Sequence, residues 1–262
     1  MDSKSLTADS AMNLLSQWAI LLQVIDYVSI VNVIKAILDQ FSVSAHIAWF
    51  LFGIAVFPSA LLALYGASLD YNSANFVIIT LILVHYAYRS FIYAYSIKGG
   101  KRVPFHLFAL GFCNNFFQGF LQSTWHFMFA FYPIDWINQL SSVIGLLLFA
   151  TGMFIHVKSD GILQRLRRRH DKGYKLPRGF LFELITAPNY FGECVEWIGF
   201  AMFAWTLPAL SHACFVIALL LPRALQYHRI SVGNAAEAIQ TLPKHPIRLF
   251  AYEEKNPSIK VH

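Results

Sequence analysis

The chain has 262 residues, of which 57% are hydrophobic and 13% carry a charged side chain. Because soluble domains carry about a quarter charged residues, this composition excludes a soluble globular domain and predicts an integral membrane protein. Most of the net charge of +6 comes from short basic stretches between apolar runs, which indicates membrane topology and not a nucleic-acid-binding surface.

Apolar runs of about 20 residues recur along the chain, and each is long enough to cross a hydrocarbon core of about 30 Å. They predict an all-α, polytopic membrane protein with about seven transmembrane helices, in a single domain over residues 1–262. The expected spans are residues 13–35, 45–67, 74–97, 105–131, 138–157, 188–205 and 207–227. A polar cytoplasmic tail is expected from about residue 233.

Basic residues follow the third, fifth and seventh predicted spans, whereas the loops between them carry Asp70 and Asp135 and almost no Lys or Arg. Because positively charged loops remain on the cytoplasmic side, we expect these three basic segments, and with them the C terminus, in the cytoplasm. The N terminus is expected on the other side, and no cleavable signal peptide is expected, because the first residues lack a basic n-region and a small-residue cleavage site.

The third predicted span contains Tyr86 and Arg89, which lie three residues apart on one helical face. A phenol inside a span can donate a proton to a bound polar group, and the guanidinium can hold that group or a nucleotide. The fourth span contains Asn114, Asn115 and Gln118, whose amides need hydrogen-bond partners when buried. Hydrogen bonds between helices explain these amides as well as a ligand does.

The loop after the fifth span is densely cationic. Its basic residues are Arg165, Arg167, Arg168, Arg169, Lys172, Lys175 and Arg178. They suit either anionic lipid headgroups or the phosphates of a dinucleotide. Asp160 favours the dinucleotide, because a carboxylate suits ribose hydroxyls and does not help a headgroup anchor. No Gly-x-Gly-x-x-Gly motif follows a strand, so a dinucleotide would be held between helices.

The sixth predicted span retains Asn189, Glu193 and Glu196 on one face, at positions i, i+4 and i+7. Buried carboxylates are costly without partners, so such a row normally faces a cavity, a cation or a bound polar molecule. The alternative is that both glutamates reach headgroups or pair with nearby Arg side chains. The histidines and cysteines show no metal-ligand spacing, so no metal site is expected.

Together these motifs resemble the steroid 5α-reductase (3-oxo-5α-steroid 4-dehydrogenase) family from His85 to the C terminus. The carrying segments include His85-Tyr-x-x-Arg89, Tyr174-Lys-Leu-Pro-Arg-Gly179, Pro188-Asn-Tyr-Phe-Gly-Glu-x-x-Glu-Trp-Ile-Gly199 and Arg223-Ala with His228-Arg229. The resemblance implies a multi-pass enzyme of the bacterial inner membrane or endoplasmic reticulum, which we expect to be a monomer. It would bind NADPH between its helices on the cytosolic side and reduce the 4,5 double bond of a 3-oxo-Δ4 steroid entering from the lipid.

By position, the resemblance makes Tyr86 the catalytic phenol at the substrate carbonyl. The residues that it assigns to the cofactor are Asn115, Asp160, Arg167, Tyr174, Lys175, Asn189, Glu193, Arg223 and His228. We add Arg89 to the cofactor site because it shares a face with Tyr86, and we assign Trp49 and Gln118 to the substrate.

One departure from the family concerns the second span, where a Glu would partner the phenol. Here no Asp or Glu occurs between Asp39 and Asp70. Either His46 or His85 substitutes, or the substrate carbonyl sits differently, which leaves another lipid enone or an enoyl compound as the alternative substrate.

Two other function classes are less well supported. One is a membrane methyltransferase using S-adenosylmethionine, against which the arginine-rich loop argues because that cofactor has no phosphates. The other is a transporter, for which internal half-repeats would be typical, and we find none in the sequence.

Overall fold

The computed structural model describes residues 41–66, 73–97, 99–166 and 176–240, and helices make up most of them. The elements are β1 Ser42–Val43, α1 Ala45–Ile54, α2 Val56–Tyr65, α3 Ser73–Ala87, α4 Ala94–Ser96, β2 Val103–Pro104, α5 Phe105–Thr124, α6 Leu140–Leu166, α7 Pro188–Ala204 and α8 Leu207–Gln240. The predicted all-α fold is therefore confirmed for the described residues, with one short addition. β1 and β2 form an antiparallel pair in which Ser42 lies opposite Pro104.

Four described helical stretches are long and apolar enough to cross a membrane, as expected for a multi-pass membrane protein. They are Ala45–Tyr65, Ala74–Ser96, Leu140–Leu166 and Leu207–Gly233, which correspond to the second, third, fifth and seventh predicted spans. The fourth and sixth predicted spans are the helices α5 and α7 but are not among these four; α7 has 17 residues. The first predicted span lies outside the described residues, so the count of seven stays a prediction.

Two helices extend beyond their predicted ends. α6 continues to Leu166, so Asp160 lies inside a helix and not in the basic loop where the sequence placed it. α8 continues through Pro222 to Gln240, beyond the predicted end of the seventh span at residue 227, so the first residues of the predicted polar tail are helical. The predicted spans were ended where polar side chains begin. A helix can continue into such a polar segment as long as its backbone groups remain hydrogen-bonded to each other.

The second predicted span bends into α1 and α2, and the third contains a π-helical turn, Tyr88–Tyr93, between α3 and α4. A π-turn shifts the register of the side chains that follow it and is frequent at functional sites. Gly53 of α1 faces this region, where a Cβ atom would lie 3.0 Å from the carbonyl oxygen of Tyr86. The glycine therefore allows α1 to pack directly beside the helix that carries the catalytic candidate.

The backbones of α6 and α7 lie in direct contact along a row of glycines. This row consists of Gly145 and Gly152 on α6 and of Gly192 and Gly199 on α7. A Cβ atom on Gly192 would lie 2.5 Å from the backbone nitrogen of His156, a distance that real Cβ atoms essentially never show. Small residues allow membrane helices to approach this closely, and the contact places the polar side chains of α6 against those of α7.

Candidate active site

A cavity of about 560 Å³ opens between α1, the helix from α3 to α4, α5, α7 and α8. Its size is typical of a pocket for a small molecule. Its polar lining residues are His85, Tyr86, Arg89, Asn114, Asn115, Glu193, His212 and Arg223. Much of the remaining wall is apolar, with Trp49 and Phe52 on α1 and Phe215, Val216, Leu219 and Leu220 on α8. The cavity can therefore enclose a largely hydrophobic molecule and contact it at a few polar points.

The structure brings six of the predicted site residues together in the cavity wall. These six are Trp49, Tyr86, Arg89, Asn115, Glu193 and Arg223. Tyr86 is 8% exposed, and its ring lies edge-on to that of His85, with the two centroids 5.0 Å apart. The phenol is thus fixed by packing and borders the cavity, although the roles of all six residues stay predictions.

Other predicted residues lie outside the lining of the cavity. Gln118 is buried, and its Oε1 has no hydrogen-bond partner in the described part of the chain. His228 is exposed, with its Nδ1 2.9 Å from the hydroxyl of Thr186. His46, one of the two candidates to replace the missing Glu, is exposed on α1. Arg167, Tyr174 and Lys175 lie outside the described residues.

Glu196 lies fully buried between two imidazoles. The Nδ1–H of His85 donates to its Oε1 at 2.7 Å, and the Nδ1–H of His156 donates to its Oε2 at 3.2 Å. These two hydrogen bonds compensate the loss of hydration that makes a buried carboxylate costly. Glu196 is therefore the centre of a buried network. Its position on the same helical face as Glu193 suggested that both carboxylates border the cavity, but only Glu193 lines it.

The same network continues to Asp160, which is also buried. Its Oδ2 lies 3.2 Å from the Nε2 of His156 and 3.6 Å from Nη1 of Arg89. The amide of Asn189 donates to its Oδ1 at 3.3 Å. Asp160 and Asn189 thus contact each other behind the cavity wall, and their predicted contact with a cofactor stays a prediction.

Arg89 connects this network to the cavity. Its guanidinium lies between the rings of Trp49 and Tyr93, at 4.5 and 4.7 Å from their centroids, where cation–π attraction favours it. Its Nη2 is 3.9 Å from Oε2 of Glu193. The planar cation is therefore held in one orientation, with carboxylates on two helices balancing its charge.

Sequence reasoning missed three residues of this site: His156, Trp197 and His212. His156 and Asp160 are four residues apart, which would have placed them on one helical face, but the fifth predicted span ended between them. The donor atoms of His85, His156 and Glu196 lie within 4.8 Å of one another, and in the structure these groups hydrogen-bond directly. The expectation of no metal site stays a prediction.

Comparison with known proteins gives the family. Residues 101–237 match the family model described as 3-oxo-5-alpha-steroid 4-dehydrogenase. The chain is similar to 3-oxo-5-alpha-steroid 4-dehydrogenase 1 of Bos taurus, with 37% identity over 195 residues that cover 73% of this chain and 76% of that protein.

Two further relatives agree with this result. The protein of the same name from Rattus norvegicus is 40% identical over 192 residues, which cover 71% of this chain and 73% of that protein. 3-Oxo-5-alpha-steroid 4-dehydrogenase 2 of Homo sapiens is 36% identical over 189 residues, with the same coverage of 71% and 73%. The chain belongs to the 3-oxo-5-alpha-steroid 4-dehydrogenase family and is an oxidoreductase that acts on CH–CH bonds.

Proposed function

We propose that the protein reduces the 4,5 double bond of a 3-oxo-Δ4 steroid with NADPH. Family membership supports the reaction class. The observation that carries the proposal in the structure is the buried phenol of Tyr86 at the wall of a largely apolar cavity. Such a cavity suits a rigid hydrophobic substrate, and a phenol can donate a hydrogen bond to the 3-oxo group of that substrate.

The donor set of the cavity fits NADPH. Asn115 and Glu193 offer the amide and carboxylate that can hydrogen-bond a carboxamide, and Arg223 offers a cation for a phosphate. The other residues proposed to hold the cofactor are Arg89, Asp160, Arg167, Tyr174, Lys175, Asn189 and His228. When bound, the cofactor supplies the hydride that adds to the β-carbon of the enone.

In this proposal Tyr86 donates a hydrogen bond to the substrate carbonyl oxygen. Negative charge develops on that oxygen during the reaction, and a fixed donor in a site that excludes water stabilises this charge more than a solvated donor does. Arg89 and the network around Glu196 hold the helices that carry the phenol and the cofactor residues, so that both partners meet in a fixed geometry.

The first experiment is to measure NADPH oxidation by the purified protein with a panel of 3-oxo-Δ4 steroids. We expect steroid-dependent oxidation, and we expect Tyr86→Phe to lower kcat/KM about 100-fold or more, since the variant loses only the phenol hydroxyl group that donates the hydrogen bond. The dissociation constant of NADPH should change less than about twofold, because the ring remains in place.

Tyr95→Phe is the matched control, since Tyr95 lies on α4, outside the cavity lining, and is 92% exposed. It should retain the activity of the parent protein. Full turnover by the Tyr86→Phe variant would remove this phenol from the mechanism.

A second candidate function is the same reduction of another lipid enone or of an enoyl compound. It is favoured by the α1 wall of the cavity, where Trp49, Phe52 and Gly53 provide no carboxylate to partner the phenol. Adding polyprenyl and fatty enoyl substrates to the panel separates the two candidates. Oxidation of NADPH with these compounds and not with steroids would support the second one.

A further inference from the structure

The cavity wall contains a carboxylate and an imidazole that lie close together without a hydrogen bond between them. Glu193 on α7 and His85 on α3 both line the cavity, and Oε1 of Glu193 lies 3.9 Å from Nε2 of His85. Hydrogen-bonded heavy atoms lie about 2.7–3.2 Å apart, so this distance is too long for a direct hydrogen bond. One polar group of a bound molecule can contact both atoms.

Glu193 is nearly buried, yet its carboxylate accepts no hydrogen bond from the part of the chain that the structure describes. It is 8% exposed. Besides His85, its cationic neighbours are Nε2 of His156 at 3.7 Å and Nη2 of Arg89 at 3.9 Å, which attract the carboxylate but leave its lone pairs unused. Because a buried carboxylate without donors is costly, Glu193 points to a donor on the molecule that fills the cavity.

His85 is held in an orientation that presents Nε2 to the cavity. Its Nδ1–H donates to the buried Glu196 at 2.7 Å, and its ring packs on Trp197 with 4.7 Å between centroids. The other described imidazole of the cavity wall, His212, has both ring nitrogens shielded from any ligand, whereas Nε2 of His85 is not shielded in this way. His85 is therefore the imidazole of this wall that can reach a bound molecule.

The charges around His85 indicate that its Nε2 carries a proton. The cluster combines three carboxylates with one guanidinium and two imidazoles, which belong to Glu193, Glu196, Asp160, Arg89, His85 and His156. With neutral imidazoles, three negative charges would face one positive charge, and burying uncompensated charge is costly. Both ring nitrogens of His156 lie 3.2 Å from a carboxylate oxygen, as expected for a ring with two N–H groups. A protonated His85 completes the balance and offers its Nε2–H to the cavity.

We propose that His85 and Glu193 together bind the carboxamide of the nicotinamide ring, with Nε2–H of His85 donating to the carboxamide oxygen and Glu193 accepting from the NH₂ group. A primary carboxamide carries an acceptor and a donor on one carbon, which matches a donor and an acceptor only 3.9 Å apart. The rings of His85 and Tyr86 lie 5.0 Å apart between centroids, so this subsite borders the phenol. The inference rests on the proposed function and adds His85 to the cofactor-binding residues.

The test measures the dissociation constants of three oxidised dinucleotides on the full-length protein. They are NADP⁺, its 3-acetylpyridine analogue, in which a methyl group replaces the NH₂ group, and its thionicotinamide analogue, in which sulfur replaces the oxygen. Because sulfur is a weak acceptor, the unsubstituted protein should bind the thionicotinamide analogue about tenfold more weakly than NADP⁺.

His85→Asn removes the group at Nε2, while its amide can still donate to Glu196 in place of Nδ1–H. The dissociation constants of NADP⁺ and of the acetylpyridine analogue should rise about tenfold. That of the thionicotinamide analogue should change less than about twofold, because it has little hydrogen bond to lose. His85→Gln places its amide near the former Nε2 and should keep the preference for NADP⁺ over the thionicotinamide analogue.

His106→Asn is the matched control. His106 is 8% exposed and has no hydrogen-bond partner among the described residues, but it does not line the cavity. Its substitution should change the affinities for the three dinucleotides equally or not at all. If His85→Asn does not fold, His85→Gln decides alone, and loss of its preference for NADP⁺ would contradict the proposal.

Two results would overturn the inference while leaving the proposed function intact. Equal losses of affinity for all three dinucleotides in His85→Asn would show that His85 acts only through Glu196. Unchanged affinities in His85→Asn would show that the carboxamide does not contact Nε2. If instead the unsubstituted protein binds neither NADP⁺ nor NADPH, the proposed function itself fails.

Discussion

At the scale of single residues, Glu196 shows how a carboxylate is accommodated in an apolar helix. Both of its oxygens accept hydrogen bonds, one from His85 on α3 and one from His156 on α6. Such a group holds three helices in register, because moving any of them would leave a buried donor or acceptor unpaired. The site therefore depends on a residue that does not itself border the cavity.

Glu196→Gln should lower the free energy of unfolding by about 1–3 kcal/mol, because the amide cannot accept hydrogen bonds from both imidazoles and its NH₂ group meets a second donor. Thermal unfolding in detergent measures this change. Glu183→Gln is the control, since the ion pair of Glu183 with Arg178 is about half exposed and such pairs contribute at most about 1 kcal/mol. Equal shifts in the two variants would contradict the role of Glu196.

At the scale of helices, the contact between α6 and α7 positions the network. The glycines of the two helices recur every seven residues, which is about two turns, so they form one face on each helix. The backbones touch there, and His156 consequently lies within hydrogen-bonding distance of Glu196. Any side chain added to this face must separate the helices.

Gly152→Ala should destabilise the protein by about 1–3 kcal/mol, because the added methyl group would overlap the backbone of Glu196. The separation should also weaken the contact between His156 and Glu196 and reduce steroid-dependent NADPH oxidation. Unfolding and activity measurements on the same preparation test both effects.

Gly161→Ala on the same helix is the matched control, because a Cβ atom there would have no neighbour within 4 Å. It should be neutral or slightly stabilising, since alanine favours a helix by about 1 kcal/mol over glycine. Loss of stability in both variants would mean that the effect of Gly152→Ala does not come from the helix contact.

At the scale of the whole molecule, the distribution of charge predicts the orientation in the membrane. The segment before α5 carries Lys101 and Arg102, whereas the segment after it carries Asp135. Because positive loops remain cytoplasmic, we expect α5 to cross the membrane with its N-terminal end in the cytoplasm. The C terminus is then also cytoplasmic if α6, α7 and α8 each cross once.

Cysteine labelling with a membrane-impermeant reagent tests this orientation. In a variant without the native Cys113, Cys194 and Cys214, Ile134→Cys should be labelled only from outside and Lys101→Cys only from the cytoplasm. Ile134 is 94% exposed, so its position is accessible to the reagent. Labelling of both positions from one side would show that α5 does not span the membrane and would contradict the count of seven spans.

The sequence by itself determined the class of the protein and the identity of many site residues. Bilayer thickness fixes the length of an apolar span, and backbone hydrogen bonding in lipid requires helices, so most described helices were predictable to within a few residues. The motifs around Tyr86, Asn115, Glu193 and Arg223 indicated the family and selected residues that the fold does bring to one cavity. The longer ends of α6 and α8 were missed, because hydropathy marks where lipid ends and not where a helix ends.

Only the tertiary structure decided which polar side chains meet. A helix that is apolar on all sides gives no periodic signal for its rotation about its own axis, so the sequence could not show that Gln118 is excluded from the cavity wall while His212 forms part of it. His85, His156 and Glu196 come from three separate helices, and they meet because glycine contacts fix the depth and rotation of α6 against α7. Packing, which depends on neighbours distant in the chain, sets these angles and thereby builds the site.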